Sequence, residues 1–279
     1  MRRSTSLPVR LAALVLPGLS LLLQPALARA ECSRPLQAPV APTGLSVTTT
    51  GQAVGGLYPE LLRGLLAKEG CEIEFSVVPR ARQEAMFEAG RGDLLIPATR
   101  TARRDGFGLF VPMVSSRATV ISLSPERPPL RSLAELRQHR ELRVVLVRGY
   151  DYGKVYQELQ QELAAQKRLV LAVDAISVAR VLNGGMADLT IMAPSILIGA
   201  LQGEAHLRFL QERLRVEPVQ ELPWGESGIY ISSHAALDEK DRALLREALE
   251  RGARSGEVWR AFQRFYPPGS LTESIKPRY

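Results

Sequence analysis

Short runs rich in Val, Leu and Ile alternate with amphipathic helical segments along almost the whole chain after residue 44, and this alternation constrains the fold more than any single motif. A strand, a helix and another strand in succession need a crossover, and repeated crossovers build a sheet covered by helices on both faces. Residues 45–50 predict a strand. Residues 57–69 predict a helix: Leu57, Leu61, Leu62, Leu65 and Leu66 fall on one face, Pro59 sits in the first turn and Gly70 ends it. A strand over 72–78, a helix over 80–89 and a short buried strand over 94–96 complete an order that predicts a parallel sheet. After a charged, proline-rich break at 125–129 the alternation resumes. Ser132 caps a helix over 133–139. Strands fall at 142–147, 169–173, 189–192 and 214–219, and helices at 150–165, 175–182 and 195–201. A strand over 228–232 and helices over 237–251 and 257–266 close the chain. Two α/β units with a helical tail predict two lobes with a cleft between them.

The first 30 residues read differently. Arg2 and Arg3 start them, an apolar stretch follows over 11–23 broken by Pro17 and Gly18, and Ala28-Arg29-Ala30 precedes Glu31. This is the layout of a cleaved export signal. The apolar stretch is too short to cross ~30 Å of hydrocarbon at about 1.5 Å per residue, so a membrane anchor is the weaker reading. The four arginines of the leader account for more than half of the formal charge of +7, leaving 32 basic against 29 acidic side chains. That balance argues against nucleic-acid binding driven by counterion release. Arginines outnumber lysines, but they interleave with acids along segments such as 237–251 and read mostly as solvated faces.

Cys32 and Cys71 are the two cysteines of the chain. In an exported protein they predict a disulfide, the alternative being two buried free thiols. Cys32 is not the first residue after Ala30, which argues against a lipid anchor. His139, His206 and His234 are scattered without zinc-ligand spacing, so no metal is expected. No phosphate-binding G-x-x-x-x-G-K-[ST] loop and no G-x-G-x-x-G occurs, and no cofactor is expected. Gly225-Glu226-Ser227-Gly228 is a near miss for a nucleophile elbow, but Ile229 replaces the last glycine and a strand follows, so turn chemistry accounts for it.

Several short stretches recur in a known order. They are Gly56 to Leu62; Pro79-Arg80-Ala81-Arg82, then Glu88 to Asp93; Thr99-Arg100-Thr101 with Arg104; Phe110-Val111-Pro112; Val145 to Gly149; Asn183 to Asp188; and Ser255 to Tyr266. Through them the chain resembles the family 3 extracellular solute-binding proteins, the periplasmic receptors of ABC importers for polar amino acids. The resemblance implies an α/β, two-lobed type II periplasmic-binding-protein fold, each lobe a mixed sheet flanked by helices, with the ligand cleft between them. After the signal peptide at 1–30, the first lobe would combine 31–121 with 227–279 and the second would be 122–226, with crossings at 120–125 and 226–230. A hinge of this kind closes over a ligand held by both lobes.

The same resemblance assigns roles. Arg104 matches the ligand-carboxylate arginine, whose paired donors suit a carboxylate; a surface arginine is the alternative. Thr99 and Thr101 would add donors to that carboxylate, or serve as strand and turn residues. Pro97 stands where a backbone amide often faces the ligand, and proline has none to give. Arg80 stands where an aromatic or leucine usually packs; it would stack on the ligand, bind a second anionic group, or lie exposed. Arg82 is expected to pair with Glu84 or a nearby acid. Ala193 replaces the aspartate that usually holds an amino acid's ammonium. Asp151 would substitute for it, or act as a helix cap. Tyr150 and Tyr152 would offer rings or hydroxyls to the pocket, or pack on the lobe. The implied function is capture of a small carboxylate-bearing polar solute, an amino acid or a relative, by a monomer that delivers it to an inner-membrane ABC permease without covalent chemistry. One rival is a periplasmic dehydratase on the same scaffold, with Glu226 or Asp151 as general acid. The other is a receptor that presents ligand to a membrane sensor.

Overall fold

The computed structural model describes residues 31–123 and 127–278; the export-signal reading lies outside the described residues. Two sheets organise them. In the first unit, strands Ile275–Lys276, Gly108–Ser116, Gly225–Ser232 and Leu94–Thr99 lie side by side in that order, all pairings antiparallel. Strand Leu36–Val40 pairs in parallel with Ile73–Val77, and Asp93 joins this pair to the sheet by donating its N–H to the Gln37 carbonyl at 2.8 Å. The second unit is a five-stranded sheet ordered Arg215–Glu217, Thr119–Ser122, Leu189–Met192, Val144–Val147, Leu169–Ala172. Its last three strands are parallel, and Thr119–Ser122 runs antiparallel to both neighbours.

Burial follows the sequence pattern. Helix Leu57–Ala67 lays Leu57, Leu62 and Leu66 against strand residues Ile96, Val111 and Ile231, and helices Glu239–Arg254 and Glu257–Phe265 cover the same core. The second sheet is covered on both faces. Helices Ala175–Asn183 and Pro194–Gln202 pack one apolar cluster, and helices Leu133–Gln138 and Lys154–Ala165 pack the other. Val144–Val147, a continuous apolar run, is buried at every position, as a strand with two covered faces must be. Among the described residues no helix is long and apolar enough to cross a membrane.

The first unit departs from the expected parallel sheet. Leu94–Thr99 finds its partner in Gly225–Ser232, from the far end of the chain, and pairs with it antiparallel. Among the described residues five strands carry no expectation in the sequence: Leu36–Val40, Ala53–Gly55, Gly108–Ser116, Thr119–Ser122 and Ile275–Lys276. Leu36–Val40 and Gly108–Ser116 each hold a proline, which removes a ladder donor and hides the strand pattern. Pro112 is accommodated where the pairing of Gly108–Ser116 with Gly225–Ser232 slips register between Ser227 and Gly228, a place where an irregular ladder tolerates proline. The expected strand at 45–50 shrinks to Thr48–Thr50, in a hairpin with Ala53–Gly55. Strand Thr119–Ser122, largely on the near side of the boundary expected at 121/122, pairs wholly within the second sheet.

The expected disulfide is present. Cys32 and Cys71 are joined across 39 residues, with their Cα atoms 4.9 Å apart, tying the chain ahead of strand Leu36–Val40 to the end of helix Leu57–Ala67. A loop of that length contributes about 4 kcal/mol in the chain-entropy account. The double variant Cys32→Ser/Cys71→Ser is expected to lose stability of that order in urea unfolding, and a reducing agent should bring the wild type to the same midpoint.

Candidate functional site

Between the two sheets lies a cavity of about 60 Å³ whose wall comes from both units. The first supplies Tyr58, Arg80, Pro97, Thr99 and Arg104 among others, and the second Tyr150, Asp151, Tyr152, Ala193 and Ser195. Of the residues assigned by resemblance, Arg104, Thr99, Arg80, Asp151 and Tyr150 meet there. Thr101 does not line it: its side chain caps the short helix Ala102–Asp105 by accepting the Arg104 N–H, and its own backbone N–H donates to the Tyr230 hydroxyl.

Arg104 is 1% exposed, not a surface arginine. Its guanidinium makes four hydrogen bonds. Nε and Nη2 donate to the two oxygens of Glu84 at 3.1 and 2.7 Å, and Nη1 donates to the carbonyls of Thr99 at 2.7 Å and Asp151 at 3.3 Å. The paired donors expected to grip a ligand carboxylate therefore hold a carboxylate of the protein itself. Arg80 is buried too, against the reading that leaves it exposed. Its Nη2 donates to Glu84 at 2.6 Å and its Nη1 to the Pro97 carbonyl at 2.9 Å, and its guanidinium lies 6.0 Å from the ring centre of Tyr150. Arg103, 39% exposed, adds a third guanidinium to Glu84 at 3.0 Å and also binds Glu88.

Glu84 is thus the hub, in place of the pairing expected with Arg82. Burial alone would raise its pKa, but the guanidiniums of Arg80, Arg104 and Arg103 outweigh that and bring it down to about 2. Sequence reasoning passed over its role. The signal available was the i,i+4 spacing of Arg80 and Glu84 on one helix face.

Asp151 faces Arg103 across the cleft, Oδ2 to Nε at 3.1 Å, and also accepts from Gln157 Nε2 and from the Gly153 N–H, each at 2.9 Å. Its carboxylate is committed to the opposite unit and to the turn leading into helix Lys154–Ala165, which starts later than the expected 150. Tyr152 turns its hydroxyl to the Ala193 N–H at 3.3 Å, and burial pushes its pKa up to about 12. Arg80 Nε and the Tyr150 hydroxyl are buried and have no hydrogen-bond partner. Glu226, the other candidate acid, pairs with Arg100 and Arg278 and does not line the cavity. Among the described residues no group of three or more His, Cys, Asp or Glu is placed to hold a metal ion.

No family model matches the chain, and no curated protein matches it in sequence. Solved structures do match in shape. A histidine kinase sensor domain with similarity to periplasmic binding proteins superposes with a TM-score of 0.65 at 18% identity, over 83% of this chain and 96% of its own. The chain has the two-lobed α/β fold of the periplasmic binding proteins. The amino acid ABC transporter substrate-binding protein AbpA of Streptococcus pneumoniae, bound to L-arginine, gives 0.62 at 18% identity over 82% of this chain and 94% of its own. ArtJ, the arginine-, lysine-, histidine-binding protein of Geobacillus stearothermophilus, gives 0.64 at 14% identity over 84% and 95%. In this fold the cavity lies between the lobes, with Arg80 and Arg104 on one wall and Glu84 behind them.

Removing the hub charge leaves two buried guanidiniums uncompensated, so Glu84→Gln is expected to cost about 3 kcal/mol in denaturant unfolding at neutral pH. The folded pKa lies below the ordinary value, so this contribution is complete above pH 4.5 and disappears as the pH falls through about 2. The stability gap between wild type and Glu84→Gln should close over that window; a gap independent of pH would rule the ionised hub out.

Proposed function

We propose that the protein is a periplasmic solute-binding protein that traps a small carboxylate-bearing polar solute between its lobes and passes it to an inner-membrane ABC permease. The observation that carries this reading is the shared wall of the cavity: both lobes line it, and buried donors of Arg80 and Tyr150 stand there unpartnered. Arg80, Arg104, Thr99, Tyr150 and Asp151 form the binding surface. Thr101 acts on it only through the helix that carries Arg104. AbpA and ArtJ, which by name serve or bind amino acids, support a solute of comparable size. Sheet membership favours crossovers near 117–118 and 218–224, a few residues ahead of the positions that the resemblance implies.

Binding works as a monomer by hinge closure, with export by the leader and no covalent step. The two acids that a dehydratase would use are held in ion pairs, Asp151 by Arg103 and Glu226 by Arg100 and Arg278, which weighs against the enzymatic rival. A ligand-presenting sensor role keeps support from the likeness to the histidine kinase sensor domain. Small-angle scattering of the mature protein, titrated with a panel of amino, hydroxy and dicarboxylic acids, tests the capture mechanism. One class should compact the particle and raise its melting temperature, and no compaction with any class would overturn the proposal. The Arg103–Asp151 pair spans the lobes, so Arg103→Ala should weaken solute binding severalfold, by about 1 kcal/mol for a half-exposed pair, in calorimetric titration.

A further inference from the structure

We infer that the solute carries no ammonium group: the cavity is built for a small oxygen-rich acid, a hydroxy or oxo acid, and discriminates against the amino acid of the same skeleton. The inference deepens the solute-binding proposal and rests on it. It follows from the charges around the cavity. Arg80, Arg103 and Arg104 face two buried carboxylates, Glu84 and Asp151, with Glu88 at the rim. Glu84 accepts four guanidinium contacts, which fill the roughly four acceptor positions of a carboxylate. Asp151 accepts three hydrogen bonds, one of them from Arg103. An ammonium placed in the cavity would meet two guanidiniums on its wall and one carboxylate, Asp151, whose charge is already paired with Arg103 and which keeps about one acceptor position, so its counter-charge would be incomplete, and an incompletely paired buried cation is disfavoured.

The groups that do remain can both donate, the Tyr150 hydroxyl being able to accept as well. Arg80 Nε and the Tyr150 hydroxyl are buried without partners, and both residues line the cavity. An unmet buried donor is costly and is satisfied by an acceptor oxygen. A hydroxyl on the solute has a second advantage over an ammonium, since it both donates and accepts and so suits a wall containing the hydroxyls of Ser46, Ser195 and Ser227. Ala193, also on the wall, contributes only a methyl group.

The test uses pairs that differ only by exchange of the ammonium for a hydroxyl, so that size and carboxylate are held constant. They are glycine and glycolate, L-alanine and L-lactate, and L-glutamate and L-2-hydroxyglutarate. Each is titrated into the mature wild-type protein by calorimetry, with thermal shift in parallel. At least one hydroxy acid is expected to bind ten or more times as tightly as its amino acid. An amino acid that binds as tightly as its hydroxy partner, or more tightly, overturns this inference while solute capture stands. If no member of any pair binds, and no other acid of the panel compacts the particle, both fall. Ala193→Asp supplies a second reading. Ala193 is the N-cap of helix Pro194–Gln202, where aspartate is well tolerated, so the variant should fold. It places a carboxylate at the cavity wall and is expected to shift the preference at least tenfold toward the amino acid of the pair; an unchanged preference counts against charge as the discriminator.

Discussion

One buried carboxylate holds the site in shape. Glu84 on helix Arg80–Glu88 takes hydrogen bonds from Arg80 on its own helix and from Arg103 and Arg104 on the helix after strand Leu94–Thr99. Two segments, joined also by Arg103 and Glu88, are thereby locked in one register. Arg103 and Arg104 then extend the lock across the cleft, to the side chain and the carbonyl of Asp151. Buried charges repay their desolvation only when geometry and hydrogen bonding are nearly complete. Here the hub is fully engaged, and within the cluster Arg80 Nε is the buried polar atom left without a partner.

This arrangement changes what the arginines can do. A guanidinium paired side-on with an internal carboxylate presents little of its fork to a ligand, yet its charge still sets the potential of the cleft. Arg104 acts mainly as a structural cation whose outer edge borders the cavity. Arg80, less fully bonded, keeps Nε without a partner. The expectation of a single carboxylate-gripping arginine is replaced by a shared cluster whose net effect depends on Glu84 staying ionised, and its low pKa keeps it so.

Much of the fold was legible because helices announce themselves by period and caps. The leucines of Leu57–Ala67 and Ser132 before Leu133–Gln138 lie where the pattern predicts. Strand pairing was less legible. Leu36–Val40 and Gly108–Ser116 carry prolines that their particular ladders tolerate, and no local signal says that Leu94–Thr99 will pair with residues at the far end of the chain. The site was legible as a set of residues and not as a set of bonds. Arg80, Thr99, Arg104, Tyr150 and Asp151 do converge, but which of them is spent on internal partners depends on Glu84, whose sequence neighbours give it an ordinary surface reading.

The cleft is closed by shape as well as by charge, and the two bear on selectivity together. At Gly149, in the left-handed region at φ 90°, an added Cβ would come within 2.7 Å of the Ala81 backbone in the opposite lobe. At Gly199, inside helix Pro194–Gln202, it would come within 2.5 Å of the Leu45 amide. Backbone meets backbone at these points without an intervening side chain, leaving little room to relieve a poorly fitting ligand by a small adjustment of the lobes. A rigid, tightly seated cleft raises the penalty for an unmatched charge, because water cannot be retained to solvate it. A looser cleft with the same residues would tolerate a solvated ammonium. In the discrimination inferred above, these glycine contacts would act together with the arginine-rich wall.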